Sequence, residues 1–236
     1  RIQTAVVSCN SYEWLSGALD LIIGNFTALD LAQDGIYGDF YVNILSTLSL
    51  HQDSESWIDL NGTLNILGGE CHIYGGNVIC WWGYALPATV NMNGGLIYFH
   101  DQGIEIPNSC TLNITGGTIR TEGSFSLDKE NFQGSNWTLE LSGGNDAGLW
   151  VAGSSWLCNL TINKSSSRSE NVIMHNRDGD EQNTRSNSVY ANTNLNISGN
   201  VNISAGSFHA PELMIVQGNW TDTAGGGSFI SESGTV

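Results

Sequence analysis

The sequence is short of charge, of basic residues and of proline. Asp, Glu, Lys and Arg make up 13% of the 236 residues, about half the usual ~25%. Only 7 residues are basic against 23 acidic ones, a formal net charge of −16. Such a surface repels phosphate backbones, so nucleic acid is not an expected partner. Its plain meaning is solubility through mutual repulsion, and diffuse cation binding is the sharper alternative. Proline occurs 3 times, and 40% of the chain is hydrophobic, which argues against disorder. No apolar run reaches the ~18 residues of a membrane helix, so no span is expected in this segment. No sustained apolar stripe at the helical period of ~3.6 residues is present either.

Glycine is plentiful instead, at 29 residues, and Asn, Ser and Thr fill the polar positions. The glycines follow a recurring tetrapeptide. Thr63-Leu64-Asn65-Ile66 precedes Gly68-Gly69, and Thr89-Val90-Asn91-Met92 precedes Gly94-Gly95. Thr111-Leu112-Asn113-Ile114 precedes Gly116-Gly117, and Thr138-Leu139-Glu140-Leu141 precedes Gly143-Gly144. Asn159-Leu160-Thr161-Ile162, Asn194-Leu195-Asn196-Ile197 and Asn200-Val201-Asn202-Ile203 continue the series. Each copy alternates polar and apolar, the mark of a short strand with one buried face that ends where glycine lets the backbone bend.

Counted on the first apolar residue (Leu64, Val90, Leu112, Leu139, Leu160, Leu195), the intervals are 26, 22, 27, 21 and 35. Three short strands and three turns need about that many residues, and insertions fall in turns. A leucine-rich repeat needs a longer consensus, and a β-sandwich has no reason to repeat one tetrapeptide at one coil length. The expected fold is all-β, a right-handed parallel β-helix with one long loop excursion. It spans 1–236 as one solenoid of about nine or ten coils, on the order of 45 Å long at the ~4.8 Å strand spacing. Residues 1–30 read as irregular entry coils or a junction, and 30–60 as strands separated by polar turns. Regular coils occupy 60–163, an excursion 164–193, and further, uncapped coils 194–236. With no leader visible at Arg1 and no cap at the far end, a segment of a longer polypeptide is expected.

The 5 cysteines are odd in number. Cys110 and Cys158 share the inward parity of Leu112 and Leu160. Two coil rises, roughly 9.6 Å, would separate them, more than the ~7 Å between Cα atoms that a disulfide allows. Both are expected as reduced core thiols. Cys71 and Cys80 also read as interior, and a bridge between them is an open alternative. Cys71, His72 and Cys80 are too few for a structural zinc site. Asp178, Asp180 and Glu181 in the excursion carry the oxygens calcium prefers, but not at a known calcium-loop spacing. No cofactor and no metal is expected.

Trp81, Trp82 and Tyr84 interrupt the pattern and form the candidate carbohydrate-binding platform, since exposed rings stack on sugars. The plainer reading is that they cover a loop or stack within the coil. Nine Asn-x-Ser/Thr triplets (Asn25, Asn61, Asn113, Asn136, Asn159, Asn163, Asn196, Asn202, Asn219) are possible glycan acceptors. Several belong to the repeat, which generates them.

The series at 195–203, Gly218-Asn219-Trp220-Thr221, residues 229–236, Asp59-Leu60-Asn61-Gly62-Thr63-Leu64 and Gly94-Gly95-Leu96-Ile97-Tyr98-Phe99 together resemble the parallel β-helix modules of large secreted bacterial surface proteins. That resemblance implies an extracellular or cell-surface location and an adhesin-like role. It brings no catalytic residues.

An enzyme of this shape would need paired carboxylates about 5–10 Å apart on the outer face of adjacent coils. The outward tetrapeptide positions are Asn65, Asn91, Asn113, Glu140, Thr161, Asn196 and Asn202. Glu140 is the one acid and has no acidic partner in that column. Arg120 and Arg177 lack an evident acidic cluster. A flat threonine ladder, as ice binding would want, is missing too. The expectation is therefore a non-enzymatic structural or adhesin-like module, with self-association or a surface glycan as partner. The alternative is a carbohydrate-binding or polysaccharide-degrading β-helix.

Overall fold

The computed structural model describes residues 5–9, 18–28, 35–36, 39–51, 59–60, 62–74, 80–82, 88–100, 103–165, 174–175, 181–182, 187–191, 194–225 and 228–231. Every regular element among them is a strand. Ten strands stack in one sheet and nine in another, and all pairs within both are parallel. A parallel stack built from consecutive strands requires the chain to travel around a coil between them. The fold is a parallel β-solenoid. From Thr63 to Asp222 the chain crosses the larger sheet seven times, which makes about six turns. Ala5–Cys9, Ala18–Ala28 and Asp39–His51 extend the same stack below. The two described strands before residue 30 thus belong to the same sheet.

Each coil has three limbs. Thr63–Tyr74, Thr89–His100 and Thr111–Thr121 each carry the first two, on either side of a glycine pair. The short strands Ile104–Ile106, Phe125–Leu127, Ala147–Val151, Ser188–Ala191 and Ser207–His209 form the third. The corner between the first two limbs needs backbone that only glycine adopts readily. Gly95 and Gly117 have φ of 81° and 98°, and a Cβ on Gly95 would lie 2.1 Å from the Gly69 carbonyl oxygen.

Register corrects the column inferred from the tetrapeptides. Thr63, Thr89 and Thr111 are in register, and so are Asn65, Asn91 and Asn113. Thr138-Leu139-Glu140-Leu141 instead pairs with Thr118-Ile119-Arg120-Thr121, the second limb of the coil below. Asn159–Lys164, Val201–Ala205 and Trp220–Asp222 continue that second limb. The first limb thins to the isolated bridges Gln133↔Trp156 and Leu157↔Ile197, then resumes as Leu195–Ile197 on Met214–Val216. Any strand with one buried face reads the same in sequence, so the tetrapeptide does not distinguish limbs. Trp137, 1% exposed, fills the corner at the change, on top of Gly117 and against Phe132.

Inward positions align as columns. Cys71, Ile97, Ile119, Leu139, Leu160 and Val201 run up the second limb, and all are buried. Each such aliphatic side chain contributes about 1.5–3 kcal/mol by leaving water. Cys71 and Cys110 are free, buried thiols pushed up to about 12 by burial, which keeps them unreactive. Cys158 is also free but only half-buried, not the full core thiol its parity suggested. It sits in the corner before Asn159, whose side-chain amide donates to the Trp137 carbonyl at 3.0 Å. Within the span 164–193, Ser188–Ala191 pairs on the third limb, with Val189 in the core.

Candidate functional site

The outward faces of the first two limbs differ. On the first, Asn91 donates to Asn65 Oδ1 at 2.7 Å and Asn113 donates to Asn91 Oδ1 at 2.8 Å. The column is chemically uniform and closes on itself. On the second limb the outward column reads His72, Tyr98, Arg120, Glu140, Thr161, Asn202 and Thr221 in register. Two residues further along each strand stand Tyr74, His100 and Glu122.

The lower part of this flank is an aromatic ladder. The Tyr74 and His100 rings stack at 4.0 Å between centroids, His100 lies 3.6 Å from Tyr98, and His72 lies 5.2 Å from His100. His72 Nε2 is 3.1 Å from Glu70 Oε2, and His72 Nδ1 is 2.9 Å from His100 Nε2. Carboxylates only accept, so the bonding pattern assigns the His72 proton to Nε2 and lets His100 Nε2–H donate to His72 Nδ1. His100 Nδ1 then faces Glu122 Oε1 at 4.0 Å.

The upper part is charged. The Tyr98 hydroxyl donates to the Glu122 carboxylate. Burial first, and then this bond and the Glu122 charge, push the phenol up to about 12, so it remains a donor at neutral pH. The Arg120 guanidinium lies over the Tyr98 ring, 5.1 Å from its centroid. It also donates to Glu140 Oε2 at 2.8 Å, while Asn163 donates to Glu140 Oε1 at 3.1 Å. Arg120 Nε is shielded from solvent and has no hydrogen-bond partner. Tyr98, Arg120, Glu122, Glu140, Ser142 and Asn163 line a cavity of about 300 Å³.

Polarity on this limb reaches inward as well. Thr121 and Lys164 share the parity of the core columns and are buried at its upper edge. Lys164 is 1% exposed, and its ammonium donates to the Glu122 carbonyl oxygen at 2.8 Å. Burial pushes this amine down to about 7, against the pull of the Glu122 and Asp146 carboxylates. Lys164 thus pins the backbone of Glu122 from behind the cavity.

The sequence-based platform lies elsewhere. Trp81 and Trp82 fall on the third limb, in Cys80–Trp82, whose backbone pairs Asp59↔Trp81, Leu60↔Trp82 and Trp81↔Glu105. Tyr84 lies outside the described residues, as do Asp178 and Asp180. Glu181 begins Glu181–Gln182, which pairs antiparallel with Met174–His175. Among the described residues no group of three or more His, Cys, Asp or Glu is arranged to hold a metal ion. No helix among them is long and apolar enough to cross a membrane. Glu140 does have charged company: Arg120 is its register partner, and Glu122 lines the same cavity. This corrects the view of Arg120 as lacking an acidic cluster. The signal was present in the tetrads after the glycine pairs, where Cys71-His72-Ile73-Tyr74, Ile97-Tyr98-Phe99-His100 and Ile119-Arg120-Thr121-Glu122 alternate in their own right.

Several triplet asparagines have their amides committed to the ladder. Asn113, Asn159, Asn163 and Asn196 each donate through Nδ2 to a protein group. Comparison with family models, with curated proteins and with solved structures finds no match for the chain.

Proposed function

We propose that this chain is a non-enzymatic, structural or adhesin-like module of an extracellular or cell-surface protein. It acts as a stiff spacer that offers one decorated flank to a partner. The observation that carries this reading is the uninterrupted parallel stack, ten strands deep, with a core of aligned aliphatic columns. Such a stack resists bending and local opening because each coil is bonded to the coil above and below. The neutral polar and acidic surface fits an exposed location. Both acids of the cavity are already engaged, Glu140 by Arg120 and Asn163 and Glu122 by Tyr98. That supports binding over hydrolysis, which needs one carboxyl kept protonated and one kept free.

Electron microscopy of the purified chain tests the proposal. Short dispersed rods fit an adhesin-like spacer, and ordered fibres fit a structural polymer. Particles without a long axis overturn it. A carbohydrate-binding role is the second reading, favoured by the aromatic ladder and the cavity beside it.

A further inference from the structure

We propose that the cavity at Tyr98, Arg120, Glu140 and Asn163 is a binding site for a neutral saccharide unit. The inference rests on the reading of the chain as a surface module and names what its decorated flank takes. Three observations carry it. The cavity, about 300 Å³, lies at the small end of ligand sites and suits a ring-sized group. Its walls supply donors and acceptors together beyond the bonds they make to one another: the guanidinium of Arg120, the second amide hydrogen of Asn163, the hydroxyl oxygen of Ser142, whose proton goes to the Thr121 carbonyl, and the remaining lone pairs of Glu122 and Glu140. A ligand whose hydroxyls both give and accept hydrogen bonds matches such a wall, and an apolar one does not. Arg120 Nε–H, shielded and without a partner, would gain an acceptor from a ligand hydroxyl after a small side-chain shift.

Charge narrows the class. One guanidinium stands against two carboxylates in the cavity, on a chain of net charge −16. Uronates, sialic acids and phosphates are repelled by that field. A polyamine would meet the guanidinium of Arg120 and the donor face of Asn163. A neutral polyhydroxy ligand pays neither penalty. The Tyr74–His100–Tyr98 ladder begins at the edge of the cavity. Its ring edges offer apolar contact to the C–H faces of the next sugar, so an oligosaccharide would run down the flank, across the coils.

The test is a binding screen of the whole chain against neutral hexose and N-acetylhexosamine oligosaccharides. Uronic-acid oligomers and spermine serve as charge controls. The expected result is binding to a neutral glycan. It should weaken about tenfold or more in Asn163→Ala and in the paired variant Arg120→Leu/Glu140→Leu. Asn91→Ala, on the first limb, should bind as the parent does. The paired change removes both charges together, and Asn163→Ala truncates a half-buried, outward-facing side chain, so a folding failure in one leaves the other informative. Neutral-glycan binding that survives both variants overturns the site. Preference for the uronate or for spermine overturns the ligand class. No binding by chains that form rods overturns this inference and leaves the module reading standing, whereas loss of the rods removes the module reading itself.

Discussion

The first and second limbs follow one rule of alternation and differ in what they show to solvent. Asn65, Asn91 and Asn113 pass one amide to the next, so Asn91, the middle rung, both donates and accepts within the column. His72, Tyr98, Arg120 and Glu140 stand in the same kind of register, yet no residue there matches the one above it. Such a column settles into pairs, His72 with His100 and Arg120 with Glu140, and leaves over a shielded Nε–H and a cavity. Register decides which side chains meet. Whether they satisfy one another decides which flank is inert and which can take a ligand.

The largest effect should come from breaking the corner that separates the two flanks. In Gly95→Val the new Cβ would meet backbone, the Gly69 carbonyl oxygen, at a φ of 81°. Neither atom can rotate away. Strain and overpacking together should cost about 4 kcal/mol or more. Urea unfolding would show it as a large drop in midpoint. A fall of less than about 1 kcal/mol would mean that the corner is not rigid.

A sharper test concerns the buried amine behind the second limb. Lys164 is held at about 7 in the folded chain, against 10.5 for an ordinary lysine. Between those values the unfolded chain binds the proton more tightly, so stability rises with pH from about 7 to 10.5 and is flat below about 7. Lys164→Met keeps the length and removes the titration. At ~1.4 kcal/mol per pKa unit over about 3.5 units, less about 1 for the hydrogen bond lost at the Glu122 carbonyl, the variant should gain between about 3 and 4 kcal/mol at neutral pH. The gain should shrink as pH rises through the window and vanish near its top. Urea unfolding of both chains across this range checks the sign. A variant that is less stable at pH 7 would show that the ammonium is well solvated or paired in the fold.

The solenoid was legible in the sequence because its causes are local. Leu64, Val90 and Leu112 alternate with polar neighbours, and Gly95 and Gly117 sit where the corner demands them. The column assignment was not legible. Thr138-Leu139-Glu140-Leu141 obeys the first-limb pattern but pairs 20 residues back from Leu139 to Ile119, not 27 back to Leu112. Only long-range register, fixed by Trp137 in the corner and by the reduced first limb before it, places Glu140 beside Arg120. The flank was therefore hidden although each of its residues was in view. The charged cavity needed two coils in register to exist at all.

The smallest effect belongs to the inert flank. Asn91→Ala deletes the middle of the asparagine ladder, taking away the donor to Asn65 and the acceptor for Asn113. Asn65 is 7% exposed, so water reaches its amide poorly, whereas Asn113 lies open to solvent and recovers its bond there. One net hydrogen bond is lost, about 1 kcal/mol. The variant should unfold at slightly lower urea, with an unchanged slope, because the buried surface is the same. A loss several times larger would mean that the ladder acts cooperatively along the stack, and that the first limb's uniform face helps to stiffen the rod as well as to cover it.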